Sequence, residues 1–493
     1  MVIKSEINKM KILLSVFLIC MIFQSCLFNT NKDIVAEKID EKDLLEDLQM
    51  LKKVITSAHA GAYAYNTEKQ LNFLFDSISK SITAPLTIRQ FYNKVDFIVD
   101  KIKCLHTTTL LPDIYYDSIY ERRMFFPLPL MAIGEKLYVN SELFNIELGA
   151  EILSINQHSA KEIITRIKAY SHTDGNSKST RNQAIENEFA LNNYLLYGAS
   201  PAFNIRYRDS SDNINTVSLN AEKLSKIFKD QSEDTYFSYP TDAPYDLEIF
   251  DYSSTALLTV RSFNFETNST AGAYVHFLEN SFRIIEQNDI KNLIIDCRNN
   301  GGGYYSYTFP LLNYLVNEKL KEFDSSTMRF NTLPYANNVA LEDTALIVDI
   351  DTSMKFYDKT VNGLFKRKDT EIEYWEPKDF VFKGKLFVVI NGQVASAAST
   401  FAAILKDKTN AILIGEETSG GYFAHNAKKV TYLLPNSKIK VAVPVERYYQ
   451  PVKEKKLGRG VLPQKEIKFT LEALKTNTDL EINYILDSMI NKN

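Results

Sequence analysis

No Cys-x-x-Cys pair and no His-Glu-x-x-His occurs in these 493 residues, and the six histidines are scattered. Without closely spaced thiolates or imidazoles, neither a structural nor a catalytic zinc is expected. Cysteine itself is scarce, at Cys20, Cys26, Cys104 and Cys297 only. The first two lie in an N-terminal leader, so the remaining pair is too few for a disulfide scaffold. Cys104 and Cys297 read as two buried thiols, with a bridge between them as the alternative in an oxidising compartment. An excess of one charge is also missing: 57 Lys and Arg stand against 61 Asp and Glu, for a net charge of -4. That leaves no electrostatic case for nucleic acid as a partner. Internal repeats and low-complexity tracts are absent.

Long apolar runs are few. Ile12 to Phe23, flanked by Lys4, Lys9 and Lys11, is too short for a stable membrane span. It reads as the h-region of a secretory leader and ends Ile22-Phe-Gln-Ser-Cys26. A small residue followed by cysteine resembles a lipoprotein cleavage site, so residues 1–26 are expected to be a signal peptide with Cys26 as the lipid-bearing residue. A generic secretory leader is the alternative, because Gln24 is unusual there.

What is present is ordinary globular composition, 45% hydrophobic and 24% charged, on a chain long enough for two to four domains. After a polar tether, Leu44, Leu48, Leu51 and Ile55 recur at helical spacing. Thr87-Ile-Arg-Gln90 is a capping-box pattern opening a helix with Phe91, Val95, Ile98, Val99 and Ile102 on one face. Residues 27–112 are therefore expected to hold the tether and a small helical domain. Residues 125–222 read as a compact β-rich module, with Lys136-Leu-Tyr-Val139 a strand and Asp174-Gly-Asn-Ser-Lys-Ser a turn-rich insertion. From 240 to 485 strands alternate with helices, at Thr255 to Val260, Leu293 to Asp296, Leu386 to Asn391 and Ala411 to Gly415. Helices are expected near 270–287, 305–319 and 397–407, and 322–382 reads as a polar, weakly periodic insertion.

Two segments of this α/β unit carry chemistry. In Leu386-Phe-Val-Val-Ile-Asn-Gly-Gln-Val-Ala-Ser-Ala-Ala-Ser-Thr-Phe, a buried strand breaks at Asn391-Gly392 and leads through Ser396 into a helix. A serine at a helix start has open amide groups beside it to stabilise an oxyanion, and small neighbours that let a carbonyl approach. It reads equally as a helix cap packed among alanines. Asn292-Leu-Ile-Ile-Asp-Cys-Arg-Asn-Asn-Gly-Gly-Gly303 runs a second strand into a glycine loop, where main-chain N–H groups can face a ligand. Its spacing is not G-x-G-x-x-G, and no Gly-Lys-Ser/Thr follows, so a nucleotide-binding enzyme is a remote reading.

Taken in order, Ile294 to Gly303, Val394-Ala-Ser-Ala-Ala398, Ile414-Gly-Glu-Glu-Thr-Ser-Gly420, Leu434-Pro-Asn-Ser437 and Gly458-Arg-Gly-Val-Leu-Pro463 resemble the C-terminal-processing (tail-specific) serine peptidases. The resemblance is strongest to the tricorn-protease-like branch found as lipoproteins in Bacteroidetes. Gly149-Ala-Glu-Ile-Leu-Ser-Ile-Asn156 resembles the PDZ-like module of that family. The resemblance implies a crotonase-like (ClpP/crotonase-type) α/β catalytic domain preceded by an N-terminal helical domain and a PDZ-like module. It places the nucleophile on Ser396 and oxyanion donors on Ala397 and on Gly301 or Gly302. Asp407 matches an acidic position of that branch. The lysine of the Ser–Lys dyad is missing, its place being taken by Gly421. The histidine of the tricorn-like branch falls on His106, in Cys104-Leu-His-Thr107, and its orienting acid falls nearest Glu454. A core histidine is the alternative for His106, and His425 is the rival base. Asp296 is expected to close its strand and Arg298 to anchor the glycine loop.

The function this implies is a serine endopeptidase of the cell envelope, acting on unfolded or tail-exposed polypeptides without a cofactor. It would be anchored by lipid, as an outer-membrane lipoprotein facing the periplasm or the cell surface. A non-catalytic peptide-binding protein on the same scaffold is the competing reading.

Overall fold

The computed structural model describes residues 33–177, 182–237 and 243–490; the expected signal peptide and Cys26 lie outside the described residues. The chain is a mixed α/β protein. Its central sheet has six strands in the order Tyr245–Phe250, Thr255–Val260, Asn292–Asp296, Lys385–Ile390, Ile412–Gly415 and Lys465–Glu466. The first pair is antiparallel and the rest run parallel. Asn292–Asp296 is buried at every position, which explains why its sequence is a near-continuous apolar run rather than an alternating one. Parallel strands place all their C-terminal ends on one edge. The glycine loop after Asp296, the turn into Ser396 and the segment after Gly415 therefore meet there, as ligand sites in such sheets do.

A second sheet is built on the long hairpin Ala424–Leu433 and Lys440–Tyr449. Strands Ser325–Met328, Phe365–Arg367 and Tyr357–Lys359 extend it. These come from the segment read as a polar, weakly periodic insertion, 322–382. Strands of three or four residues lack the length for a readable period. Along the same edge of Lys440–Tyr449 that takes Ser325–Met328, Thr108–Leu110 from the N-terminal part pairs antiparallel further on, in the register Thr108↔Ala442, Thr109↔Val441 and Leu110↔Lys440.

The N-terminal helices are Glu41–Ser57, Glu68–Lys80, Ile88–Ile102 and Asp113–Tyr120. Ile88–Ile102 starts at the capping box read from sequence: Thr87 Oγ1 accepts from Gln90 N, and Gln90 Oε1 accepts from Thr87 N. Lys103, with φ 59, ends it in the left-handed region. Leu44, Leu48, Phe91, Val95 and Val99 share one core with Val430, Tyr432, Val441 and Val443 of the hairpin. Helices and hairpin thus bury their apolar faces against each other.

The β-rich module is an antiparallel sheet of Leu130–Ile133, Lys136–Val139, Glu151–Ile155, Ala202–Arg208 and Ile214–Asn220, with the amphipathic helix Ala160–Ile167 packed on it. Cys104 and Cys297 are both buried and free. The helix expected over 305–319 is shorter, a 3-10 turn Tyr305–Thr308 followed by Phe309–Leu312. Among the described residues no helix is long and apolar enough to cross a membrane.

Candidate active site

Ser396 begins helix Ser396–Lys408, yet its φ is 51, a left-handed conformation rare for a residue with a Cβ. Such a conformation costs on the order of 1–3 kcal/mol and survives only where the surroundings fix it. Here they do. Ala395 N donates to Asn300 O (3.1 Å), and Ser419 N and Oγ both donate to Val394 O (3.0 and 3.1 Å). The sharp turn lifts the hydroxyl out of the helix and toward the site. Ala397 lies in the first turn, where amide groups lack an intrahelical acceptor.

The glycine loop is pinned from below. Arg298, about 1% exposed, donates from Nε and Nη2 to Asp296 (3.0 and 2.8 Å) and from both Nη atoms to Asp479 (2.9 and 2.6 Å). It also reaches Glu481 at 3.2 Å, while Arg261 donates to Asp296 at 2.7 Å. Burial alone would raise the Asp296 acid, but Arg298 and Arg261 override it and hold the carboxyl well below the usual range. Asn299 and Asn391 exchange hydrogen bonds of 3.1 and 2.8 Å, tying the glycine loop to the turn before Ser396. Gly302 takes φ +96, and a Cβ there would fall 2.8 Å from Ser396 Cβ and 2.9 Å from Ala397 N. Only glycine allows this approach.

This loop corrects one expectation. The Gly302 N–H donates to Asn300 Oδ1 at 2.9 Å, so it is not directed at an oxyanion. Gly302 serves by close approach instead. Gly301 is exposed, with open space around its Cα.

The structure brings His106 to Ser396 across 290 residues of sequence, with Nε2 3.0 Å from Oγ. Thr107 Oγ1 contacts His59 Nε2 at 2.7 Å, and the next three residues enter the hairpin sheet. The chain directly after the imidazole is therefore fixed. Burial first, then His425, Lys429 and His59, hold its pKa well below the ordinary value, so it is neutral at pH 7.

His425 stacks beside it at 6.0 Å between centroids. Its Nδ1 accepts from Gln450 Nε2 (2.7 Å), and burial with Arg447 brings its pKa down to about 4. Gln450 is itself fixed by Thr400 (2.7 Å) and Tyr305 (3.0 Å).

Glu454 does not reach the histidine. It lies in an exposed strip, its charge felt by Lys406 and Tyr422. Lys453 N, just before it, donates to Asp407 Oδ1 at 3.0 Å, so the neighbouring main chain is anchored away from His106. Among the described residues His106 Nδ1 has no hydrogen-bond partner. Placing the acid by its distance from a sequence motif missed this, because linear spacing says nothing of which way a loop turns.

An α/β sheet with a strained serine at a helix start, a neutral imidazole on its hydroxyl and a glycine loop alongside is an arrangement suited to serine-type hydrolysis. Residues 254–467 match the model of Peptidase family S41. Comparison with curated proteins gives no match. Among solved structures, the chain is similar to a mutant of CPAF at TM-score 0.60 and 14% identity, covering 91% of this chain and 98% of that one. It is similar to mature CPAF complexed with lactacystin at TM-score 0.58 and 14% identity, covering 88% and 95%. These likenesses extend through the N-terminal helices and the module, well beyond the family domain, and concern the fold.

Proposed function

We propose that this protein is a serine endopeptidase in which Ser396 is the nucleophile and His106 the general base. The observation that carries this reading is the 3.0 Å contact between His106 Nε2 and Ser396 Oγ, on a serine held in a strained turn at a helix start. A neutral imidazole with Nε2 unprotonated takes the hydroxyl proton as Oγ attacks a peptide carbonyl. The same proton then goes to the leaving amine, and water resolves the acyl-enzyme by the reverse path. Ala397 N–H is one donor to the oxyanion, and with Gly302 N–H committed to Asn300 the second falls to the amide of Gly301 or Gly303.

Labelling of the folded protein with a fluorophosphonate tests this. Wild type is expected to label. Ser396→Ala should not label, and His106→Ala should lose labelling and turnover to a similar degree, with no further loss in the double variant. Full activity in His106→Ala alongside its loss in His425→Ala would reassign the base.

The unpartnered His106 Nδ1 and the distant Glu454 favour a second reading, a peptide-binding protein without turnover. Peptide binding by a folded wild type that resists labelling would establish it.

The parallel-sheet unit is read as crotonase-like and residues 125–222 as PDZ-like. The outer strand Ile214–Asn220 would accept an extended peptide by strand addition. A Val217→Pro chain that binds C-terminal peptides as wild type does refutes that role. Substrates are read as unfolded or tail-exposed polypeptides, and the location as the cell envelope, through lipid on Cys26. Two acyl chains on glycerol plus one on the amine exceed what stable anchoring needs. Cys26→Ala should leave the membrane fraction; unchanged partition counts against the anchor.

A further inference from the structure

We propose that Asp174 is a positioning residue for the Ser396–His106 pair, its carboxylate bridging the main chain beside each partner. The proposal rests on the peptidase reading above.

Asp174 belongs to the turn that leaves the β-rich module after His172. One carboxylate oxygen, Oδ1, accepts from Leu105 N at 3.0 Å, directly before His106. The other, Oδ2, accepts from Gly421 N at 3.2 Å. Gly421 follows Gly420, which lies against the nucleophile: a Cβ on Gly420 would come within 2.9 Å of Ser396 N and 2.4 Å of Ser399 Oγ. One side chain thus spans from the base loop to the wall behind the serine. By the family resemblance, Gly421 stands in the place of the dyad lysine. In this chain that main-chain position is tied to the base loop instead.

The rest of the turn leaves no slack. Asp174 N donates to Ser419 O (3.1 Å), Gly175 N to Lys103 O (3.0 Å) and Asn176 N to Gly458 O (2.9 Å). Ser177 Oγ donates to Thr418 O at 3.0 Å, and Lys103 Nζ to Asn176 Oδ1 at 2.8 Å. A Cβ on Gly175 would fall 2.5 Å from Gly458 Cα. Thr173, Asp174 and Ser177 are each about 1% exposed. The turn is wedged among the exit of helix Ile88–Ile102, residues 418–421 and the loop at Gly458.

Two amide donors converging on one group call for an acceptor at both ends, which a carboxylate supplies. Asparagine keeps the shape but turns an NH2 toward one of the N–H groups. Protonation has a related effect, because the acid hydroxyl is the poorer acceptor of the two oxygens. The titratable and charged groups facing Asp174 are Arg447 from strand Lys440–Tyr449, Cys104 from the helix exit and Tyr65 from the turn before helix Glu68–Lys80. Burial raises its acid to about 6, against the pull of the two amides and Arg447. The bridge is intact above that pH and weakens below it. The His106 base, depressed well below its ordinary pKa, stays unprotonated through the same range.

The test compares full-length wild type, Asp174→Asn and Ser177→Ala in the second-order rate of fluorophosphonate labelling and in peptide turnover, from pH 5 to 8. Displacement of a reacting group by about 1 Å costs on the order of 100-fold. Asp174→Asn is therefore expected to lower labelling rate and kcat by roughly 10- to 100-fold at pH 7.5, with KM changed less than about threefold. Wild type should lose rate as pH falls through about 6, and Asp174→Asn should be flat there. Ser177→Ala removes a buried hydrogen bond of the same turn, so it should lower the melting temperature yet keep the limb near pH 6. A labelled wild type with an Asp174→Asn variant within twofold of it, and with the limb retained, overturns this proposal alone. A folded wild type that does not label overturns the peptidase reading and this proposal with it. Should Asp174→Asn fail to fold, the wild-type profile decides, and absence of the limb near pH 6 overturns the proposal.

Discussion

At the scale of single residues, Gly302 shows how little room the site leaves. Its φ of +96 and its 2.8 Å approach to Ser396 Cβ mean that one methyl group must displace either the glycine loop or the serine. Gly302→Ala is expected to lower the labelling rate by on the order of 100-fold. The melting temperature should fall by only a few degrees, because the Arg298 anchor below the loop is untouched. Labelling at the wild-type rate would show that the loop does not set the position of Ser396. The residues that sequence made legible by their neighbours were Ser396 among alanines and the three glycines that follow Arg298-Asn-Asn, whereas His106 was legible only through the resemblance of Cys104-Leu-His-Thr107 to a family motif. Asp174 was not legible in this way. In sequence it sits in Asp-Gly-Asn-Ser, which reads as turn chemistry, and nothing in that composition says that the turn is inserted between two other parts of the chain.

Among elements, the parallel strands were readable because burial on both faces demands unbroken apolar runs, as in Asn292–Asp296 and Lys385–Ile390. The helix after Thr87 was readable from its cap. Ser325–Met328, Tyr357–Lys359 and Phe365–Arg367 were not, because each is short, and their places are set by pairing partners rather than by their own pattern. The end of Asn292–Asp296 depends on a buried ionic knot rather than on packing alone. Arg298→Ala leaves Asp296, Asp479 and Glu481 without their shared cation, with Asp296 and Glu481 almost fully buried. Loss of one partner from such a site costs about 3–5 kcal/mol. Urea unfolding should show that loss, and a change under about 1 kcal/mol would mean that water replaces the guanidinium.

For the molecule as a whole, junctions between its parts carry partly buried acids. Glu186, on helix Gln183–Glu186 of the β-rich module, has its acid raised to about 8, first by burial and then by Glu416. Glu416, at the end of strand Ile412–Gly415, is raised to about 7 by burial and by Glu481 and Glu466. In the unfolded chain the Glu186 carboxyl releases its proton near 4.5, while the folded chain keeps it to about 8. Unfolding between those values releases a proton, so this contribution to stability is complete below about 4.5 and is lost as pH rises to about 8. Glu186→Gln removes the linkage. Its melting temperature should match wild type near pH 5 and exceed it at pH 8. An equal offset at both values would show that Glu186 does not titrate in this interval.

The strand Thr108–Leu110, laid against Lys440–Ala442, has a consequence for biosynthesis. A ribosome delivers His106 early and its supporting strand more than three hundred residues later. The base therefore cannot be seated while the chain is still being made, even after Ser396 has emerged. On the peptidase reading, a nascent molecule would carry its nucleophile in an unarmed form and become competent only when the last hairpin strand arrives. Chains ending at residue 435 contain both Ser396 and His106 but lack the receiving strand, and they should not label with fluorophosphonate. Addition of the segment through Tyr449 should be required before any labelling appears, and labelling of the shorter chain would show that the base is seated by the helices alone.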